Sequence, residues 1–366
     1  MARVLAMTGE MDGCTLHRVL LPITELQRQG YQGIEWGPRL DDRLALVVGS
    51  FDAVILPRLH WPMSERDKSE RWFGALHKAG KAIIYECDDD MFSDDFIRRI
   101  MWKDLYTREY AEERRECLTY ALKMSDGVTV SCQRLATMVR QITDKPVKVV
   151  PNYIDFRWFR RLQKKAMRIV PGLTIGWAGS FRPDSDIEAM AEAWGRVARK
   201  HPEVTFVIQG RDLKIIYDNV PAKQVLQLEW LPIEKYPAAL KNIDIGCCSL
   251  ADTKFNRAKT FLKALEYGAS GAAVVATPTV YNQLIESGVD GLFAETVDEW
   301  EDALNALIED YDLRRRLSRA LLAKVRKHHN LETQAWRWLE AWDEIIGDFR
   351  WRQNHRILLP SEVAYA

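Results

Sequence analysis

Residues Asn256 to Gly268 read NRAKTFLKALEYG and are followed closely by Val274-Val275-Ala276-Thr277. The order is a loop, a short helix and a buried strand. With a helix starting near Ala258 and each residue turning the chain by about 100°, Lys259, Lys263 and Glu266 project within roughly 60° of one another. Phe261, Leu262 and Leu265 fall on a separate, apolar side. Two cations and a carboxylate then share a face near the helix start, where free N–H groups already carry partial positive charge. An anion such as a diphosphate fits there, and the carboxylate would accept hydrogen bonds from an adjoining diol. Together these make a seat for a nucleotide-sugar. The competing reading of the same spacing is an amphipathic helix with solvated lysines.

Outward from this stretch, strand and helix patterns alternate in two runs. In the first half, short apolar strands are expected at 3–7, 53–56, 82–85, 127–130 and 147–150, with helices at 16–29, 65–79, 97–124 and 132–142. The second run has strands at 173–177, 205–209, 224–228, 243–247 and 273–276. Its helices are expected at 187–200, 236–241, 259–267, 281–286, 297–309 and 313–328, and a last helix at 332–348. Short apolar strands separated by helices argue for parallel sheets covered on both faces. The expected class is α/β: two doubly wound, Rossmann-like domains facing a central cleft, with ligands outside the carboxyl ends of the strands.

The 366 residues carry 52 Lys+Arg and 52 Asp+Glu, a formal net charge of zero, which argues against a globally basic nucleic-acid binder. Hydrophobic residues at 47% and charged residues at 28% are ordinary for a soluble globular chain. The six cysteines, Cys14, Cys87, Cys117, Cys132, Cys247 and Cys248, form no CxxC pair and join no histidine at zinc-site spacing. Reduced thiols, no apolar run near the roughly 18 residues a bilayer requires, and a first strand in place of a signal peptide point to the cytoplasm. Contact with a membrane through a surface patch stays open.

Residues 152–168 contain Arg157, Arg160, Arg161, Lys164, Lys165 and Arg168 interleaved with Trp158 and Phe159. Such a stretch would contact a polyanion, nucleic acid included. The other reading is a solvated connector between domains. The domain layout expected is 1–155 on the acceptor side, a linker at 156–170, a nucleotide-sugar domain at 171–331, and a helix at 332–366 that crosses back.

Several segments, taken in order, resemble one known family. They are Val150-Pro151-Asn152-Tyr153-Ile154-Asp155, then Ile175-Gly176-Trp177-Ala178-Gly179-Ser180, then His201-Pro202-Glu203-Val204 with Gln209-Gly210. Asp244-Ile245-Gly246 follows, then Phe255-Asn256 through Glu266-Tyr267-Gly268, Asp290-Gly291-Leu292-Phe293, and Trp300 with residues 310–315. Together they resemble the nucleotide-sugar-dependent glycosyltransferases of family 4, in the branch with an F-N-x-x-K-[ST]-x-x-K-x-x-E-Y donor motif. In the first half, Asp52 to Leu56 and Ile84 to Asp90 look like strands of the same branch. The resemblance departs at Ala258, where many members have a glutamate, and near Cys87 and Asp88, where many have a histidine.

The resemblance implies the GT-B fold and retaining sugar transfer from a nucleotide-diphosphate donor, with no cofactor and no essential metal. Gly179, Arg182, Lys259 and Lys263 would hold the diphosphate, and Glu266 the ribose. Asp88 and Asp90 are the catalytic candidates, where three carboxylates follow a strand. They also spell the D-x-D that holds a divalent cation in other glycosyltransferases, and they equally fit a helix N-cap. Gly13 and His60 lie after expected strands on the acceptor side, and Trp177 would stack on a base or sugar. The acceptor stays open among a glycan, a lipid-linked sugar, a protein and a hydroxylated DNA base. Two other functions compete: a non-catalytic nucleotide-sugar-binding protein, and a nucleotide-sugar epimerase of the same architecture. The sequence carries no signal for oligomeric state.

Overall fold

A computed structural model describes residues 2–8, 12–38, 48–58, 62–101, 106–165, 168–180, 183–211, 213–232 and 235–354. The chain divides into two compact units, Met1–Pro151 with Ala335–Ala366, and Asn152–Gln334. Each holds a six-stranded sheet among the described residues, and every strand pair is parallel.

In the first unit the strands are β1 (Val4–Thr8), β2 (Ile34–Pro38), β3 (Ala53–Pro57), β4 (Ala82–Cys87), β5 (Gly127–Val130) and β6 (Val147–Val149), in the order β2-β1-β3-β4-β5-β6. Every residue of β4 and β5 is buried, as continuous apolar runs predict for strands covered on both faces. The strand order reverses between β1 and β3, so the loops leaving those two strands diverge to opposite faces and open a crevice at their carboxyl ends. The C-terminal helix Trp336–Asn354 belongs to this unit and supplies buried Trp338, Trp342, Ile345, Ile346 and Phe349. A Cβ at Gly127 would lie 2.5 Å from Ile345 Cγ2, so only glycine admits the helix this close to β5.

The second unit contains β7 (Thr174–Gly179), β8 (Thr205–Gly210), β9 (Val225–Leu228), β10 (Ile245–Cys248), β11 (Ala273–Ala276) and β12 (Leu292–Phe293), in the order β12-β11-β10-β7-β8-β9. This is the doubly wound dinucleotide-type order, and its reversal lies between β7 and β10. Gly176 and Gly246 face each other across that pair. A Cβ at Gly176 would meet Ile243 at 2.4 Å, and one at Gly246 would meet the Tyr267 ring at 2.5 Å. Bare backbone there lets the helix Leu262–Ser270 lie against the sheet. Trp177, Trp194, Phe206 and Trp300 anchor the core.

Five expectations change, the first being the helix expected at 281–286, which runs Pro278–Tyr281 instead. The helix expected at 259–267 runs Leu262–Ser270, preceded by a separate short helix, Lys254–Arg257, capped by the Thr253 hydroxyl. The single helix expected at 97–124 is two, Asp94–Met101 and Arg108–Met124. Residues Phe156–Lys165, expected as linker, form a helix that buries Phe156, Trp158 and Phe159. Trp177 is 2% exposed and is a core residue, not a stacking platform. Among the described residues no helix is long and apolar enough to cross a membrane.

Candidate functional site

In the second unit, the later helix start moves Lys259 out of the helix. Lys259 sits in the turn before it, its ammonium 4.7 Å from the centre of the Phe255 ring. Lys263 and Glu266 stay on one helix face. Lys263 Nζ donates to Glu266 Oε2 at 3.1 Å and to the Tyr236 hydroxyl at 2.8 Å. The Tyr236 hydroxyl in turn donates to Glu266 Oε2 at 3.4 Å. The Glu266 side chain is 4% exposed and that of Lys263 17%, so the pair is screened little by solvent. Burial, followed by the Glu266 charge, pushes the Tyr236 phenol well up and keeps it protonated. The N-cap residue Phe261 makes no side-chain capping bond to the first turn of Leu262–Ser270, and the first N–H groups of a helix lack partners within it, which suits that end to an anion.

The loop carrying Lys259 is braced to the loop after β7. Asn256 Nδ2 donates to Asp186 Oδ1 at 2.6 Å and to the Ala251 carbonyl at 2.9 Å. The Ser249 hydroxyl donates to the Asp186 carbonyl at 2.6 Å. Asp186, Asn256 and Ser249 are all buried. Farther along, Asn152 Nδ2 donates to the Thr260 hydroxyl at 3.2 Å. Gly179 ends β7, and Gly210 beside it has φ +118, where a Cβ would lie only 2.3 Å from the Gly179 carbonyl oxygen. Two loops and a helix end thus converge on the β7/β10 reversal, where the strand order places a ligand. Arg182, expected on the diphosphate, lies outside the described residues.

In the first unit a charged cluster gathers at the β1/β3 reversal. Arg58 follows β3 and has φ +49, the one positive-φ residue other than glycine among those described. Its guanidinium lies 2.6 Å from Asp12 Oδ2, 3.6 Å from Asp88 Oδ1 and 3.9 Å from Asp89 Oδ2. Burial opposes the Arg58 charge, yet Asp88 and its neighbours push the pKa well above the ordinary arginine value. Burial and then Asp88 push the Cys14 thiol up. Asp88 Oδ1 is buried and accepts no hydrogen bond among the described residues.

Asp90 does not join Asp88. It is fully buried, and its Oδ1 accepts from the backbone of Phe92 at 3.2 Å and of Ser93 at 3.1 Å, while Oδ2 takes the Ser93 hydroxyl. The carboxylate organises the turn before Asp94–Met101, as an Asp at a helix start often does. Among the described residues no group of three or more His, Cys, Asp or Glu side chains converges on a metal position. Gly13 opens the short helix Gly13–Thr15, whose first turn is capped by Asp12 accepting from Thr15 N at 2.7 Å. His60 lies outside the described residues. Beneath the cluster, Arg18 and Glu86 form an ion pair of 2.8 Å, both nearly inaccessible, with Arg18 also donating to the Val150 carbonyl at 2.6 Å. Burial raises the Glu86 pKa against the pull of Arg18 and Thr129.

The basic helix Phe156–Lys165 offers no stacking surface through its first aromatics, because Phe156, Trp158 and Phe159 point into the unit. Arg157 lies 3.3 Å from Glu332, and the Arg326 guanidinium lies over Phe156.

Residues 172–310 match the family model described as Glycosyl transferases group 1. That span starts just before β7 and contains Gly179, Lys259, Lys263 and Glu266. The chain is a glycosyltransferase. Its fold is also that of solved GT-B structures. Anabaena HepE in complex with UDP-glucose superposes with a TM-score of 0.66 at 13% identity, covering 94% of this chain and 100% of HepE. Sucrose-phosphate synthase from Thermosynechococcus elongatus gives 0.64 at 11% identity, covering 95% of this chain and 100% of that one. The pneumococcal O-GlcNAc transferase GtfA, solved with UDP and GlcNAc, gives 0.56 at 12% identity, covering 80% of this chain and 57% of GtfA. Comparison of the sequence with curated proteins finds no match.

Sequence reasoning missed Arg58, Asp186 and Tyr236. Arg58 follows an apolar strand without any motif, and only its positive φ marks it. Asp186 and Tyr236 meet their partners across 70 and 30 residues of chain, beyond the reach of any local spacing.

Proposed function

We propose that this glycosyltransferase moves a sugar from a nucleoside-diphosphate donor to a hydroxyl-bearing acceptor with retention at the anomeric carbon. The observation that carries the reading is the placement of Lys259, Lys263 and Glu266 at the uncapped start of Leu262–Ser270, beside the β7/β10 reversal. HepE with UDP-glucose and GtfA with UDP and GlcNAc support a nucleotide-sugar as donor.

The chemistry follows from where charge develops. The bond between the anomeric carbon and the β-phosphate oxygen breaks, and negative charge grows on the departing diphosphate. Lys259, Lys263 and the N–H groups of the helix start stabilise that charge without having to reorganise. Gly179 lets backbone approach the phosphates, and Glu266 accepts from the ribose hydroxyls. The acceptor oxygen bonds to the anomeric carbon on the face the diphosphate leaves, and its proton passes to the departing phosphate oxygen. Charge neutralisation is assigned to these side chains and not to a divalent cation.

The acceptor is assigned to the Arg58 cluster of the first unit, which sets three carboxylates against one guanidinium. Such a set favours a neutral polyol, a glycan or lipid-linked sugar, over a phosphorylated or nucleic-acid acceptor. Asp88 there accepts from an acceptor hydroxyl. Six cysteines, all outside disulfides, support a cytoplasmic setting.

The departure at Ala258 favours a second reading, a protein that binds the donor without turning it over. Both are tested by a thermal-shift screen against UDP-, GDP-, ADP- and TDP-sugars, with and without magnesium, followed by donor hydrolysis and product analysis. A stabilised protein that cleaves the donor supports transfer. Stabilisation without cleavage supports the binding protein, an epimerised nucleotide-sugar supports an epimerase, and no stabilisation by any donor removes the proposal.

A further inference from the structure

Tyr236 is absorbed by none of the roles above, yet its hydroxyl sits between the two charged groups of the donor helix. It accepts from Lys263 at 2.8 Å and donates toward Glu266 Oε2 at 3.4 Å. The ring also lies under the lysine, with Nζ 5.0 Å from its centre. A phenol has a single proton to give, and Lys263 has no acceptor capacity, so the direction of the chain is fixed: ammonium to phenol, phenol to carboxylate. The phenol thus gives Glu266 a hydrogen-bond donor from a different element, one that stays in place when the Lys263 ammonium moves toward a pyrophosphate.

We propose that Tyr236 is a positioning residue that holds Glu266 for the ribose of the donor, so that the site selects ribonucleotides over 2′-deoxyribonucleotides. The assignment rests on the functional reading above, in which Glu266 meets the ribose. The phenol keeps its proton because burial and Glu266 both raise its pKa, so it serves as a standing donor to the carboxylate. Lys263 is then released to share its remaining N–H groups with the diphosphate while Glu266 stays in place. Recognition by hydrogen bonding to a hydroxyl discriminates strongly against the analogue that lacks it, because the site's polar group is then left without a partner.

The test is calorimetry on the full chain with UDP, GDP and ADP and their 2′-deoxy counterparts. Wild type is expected to prefer the ribo form of its best nucleotide by about tenfold or more. Tyr236→Phe keeps the ring and its packing, and Tyr236→Met keeps most of the bulk; both remove the hydroxyl. Each is expected to weaken the ribo form about tenfold while leaving the deoxy form unchanged, so the preference collapses. Glu266→Gln should lose the same preference, and the Tyr236→Phe/Glu266→Gln double variant should lose no more, since the two act through one contact. Equal weakening of ribo and deoxy forms would reduce Tyr236 to packing, and an unchanged preference in folded Tyr236 variants would overturn the assignment alone. Failure of wild type to bind any of the six nucleotides would overturn the functional reading beneath it.

Discussion

Lys259 and Lys263 are alike in the sequence and different in the fold. Lys263 is tied to Tyr236 and Glu266, whereas Lys259 rests its charge against the Phe255 ring. Removal of either cation should lower kcat/KM by on the order of 10²-fold, as loss of a charge-stabilising donor does. Only Lys263→Ala also removes the cation paired with a carboxylate that is 4% exposed, so it alone should lower the melting temperature markedly. Assays and melting curves on the two variants read both effects, and equal melting temperatures would count against the buried pair. His329 makes a second case. Burial, with help from His328 and Lys324, lowers its pKa to about 4, and its ring packs edge-on to Phe261 just before the donor helix. The unfolded chain takes up a proton on this residue near the ordinary value of about 6.5, and the folded chain does not. Stability should therefore fall as pH drops from about 6.5 to about 4 and then level off. His329→Phe should flatten that part of the profile, and melting curves with identical pH slopes would contradict it. Neither behaviour was legible in the sequence, because partners such as Tyr236 and neighbours such as Phe261 are supplied by tertiary folding.

Strands were easier to read than helix ends. β5 (Gly127–Val130) and β11 (Ala273–Ala276) fall where apolar runs place them, since strands buried on both faces need no alternation to be recognised. β2 (Ile34–Pro38) escaped because it is an edge strand of sequence Ile-Glu-Trp-Gly-Pro, polar in part and punctuated by turn residues. The donor helix was placed three residues early because the Thr253 cap closes a separate turn first, a local hydrogen bond that periodicity cannot register. Its packing nonetheless rests on a legible glycine. A methyl at Gly246 would press on the Tyr267 ring at 2.5 Å, and Tyr267 adjoins Glu266. Gly246→Ala should cost about 1–3 kcal/mol of stability and weaken nucleotide binding through the displaced helix. Denaturant titration alongside calorimetry checks both, and a variant as stable and as tight as wild type would mean that the helix adjusts freely.

The two sheets use the same parallel architecture with different strand orders, and each concentrates its polar side chains at its own reversal: Arg58 with Asp12, Asp88 and Asp89 in one, Lys259 with the Lys263–Glu266 pair in the other. The chain does not divide into them by simple halves. It leaves the first unit at Pro151 and returns at Ala335, and the returning helix fills that unit's core. Ala2 N donates to Asp343 at 3.0 Å, the Arg18 guanidinium lies 5.3 Å from the Trp338 ring, and Ile345 occupies the space above Gly127. A chain ending at Gln334 therefore loses Trp338, Trp342, Ile345, Ile346 and Phe349 together, a loss of roughly 3–5 kcal/mol for each buried Trp or Phe and roughly 2–5 kcal/mol for each Ile. That sum reaches or exceeds the typical stability of a domain, about 5–15 kcal/mol. The truncated chain should expose its first unit as an unfolded or aggregating segment. Residues 152–334 by contrast keep a complete sheet, its covering helices and every described donor residue. That fragment should melt cooperatively and bind a nucleoside diphosphate about as tightly as the full chain. Calorimetry on the fragment measures this, and a fragment that folds but binds at least about tenfold more weakly would mean that the donor needs contacts from the first unit as well, which would move part of its recognition out of the β7/β10 reversal.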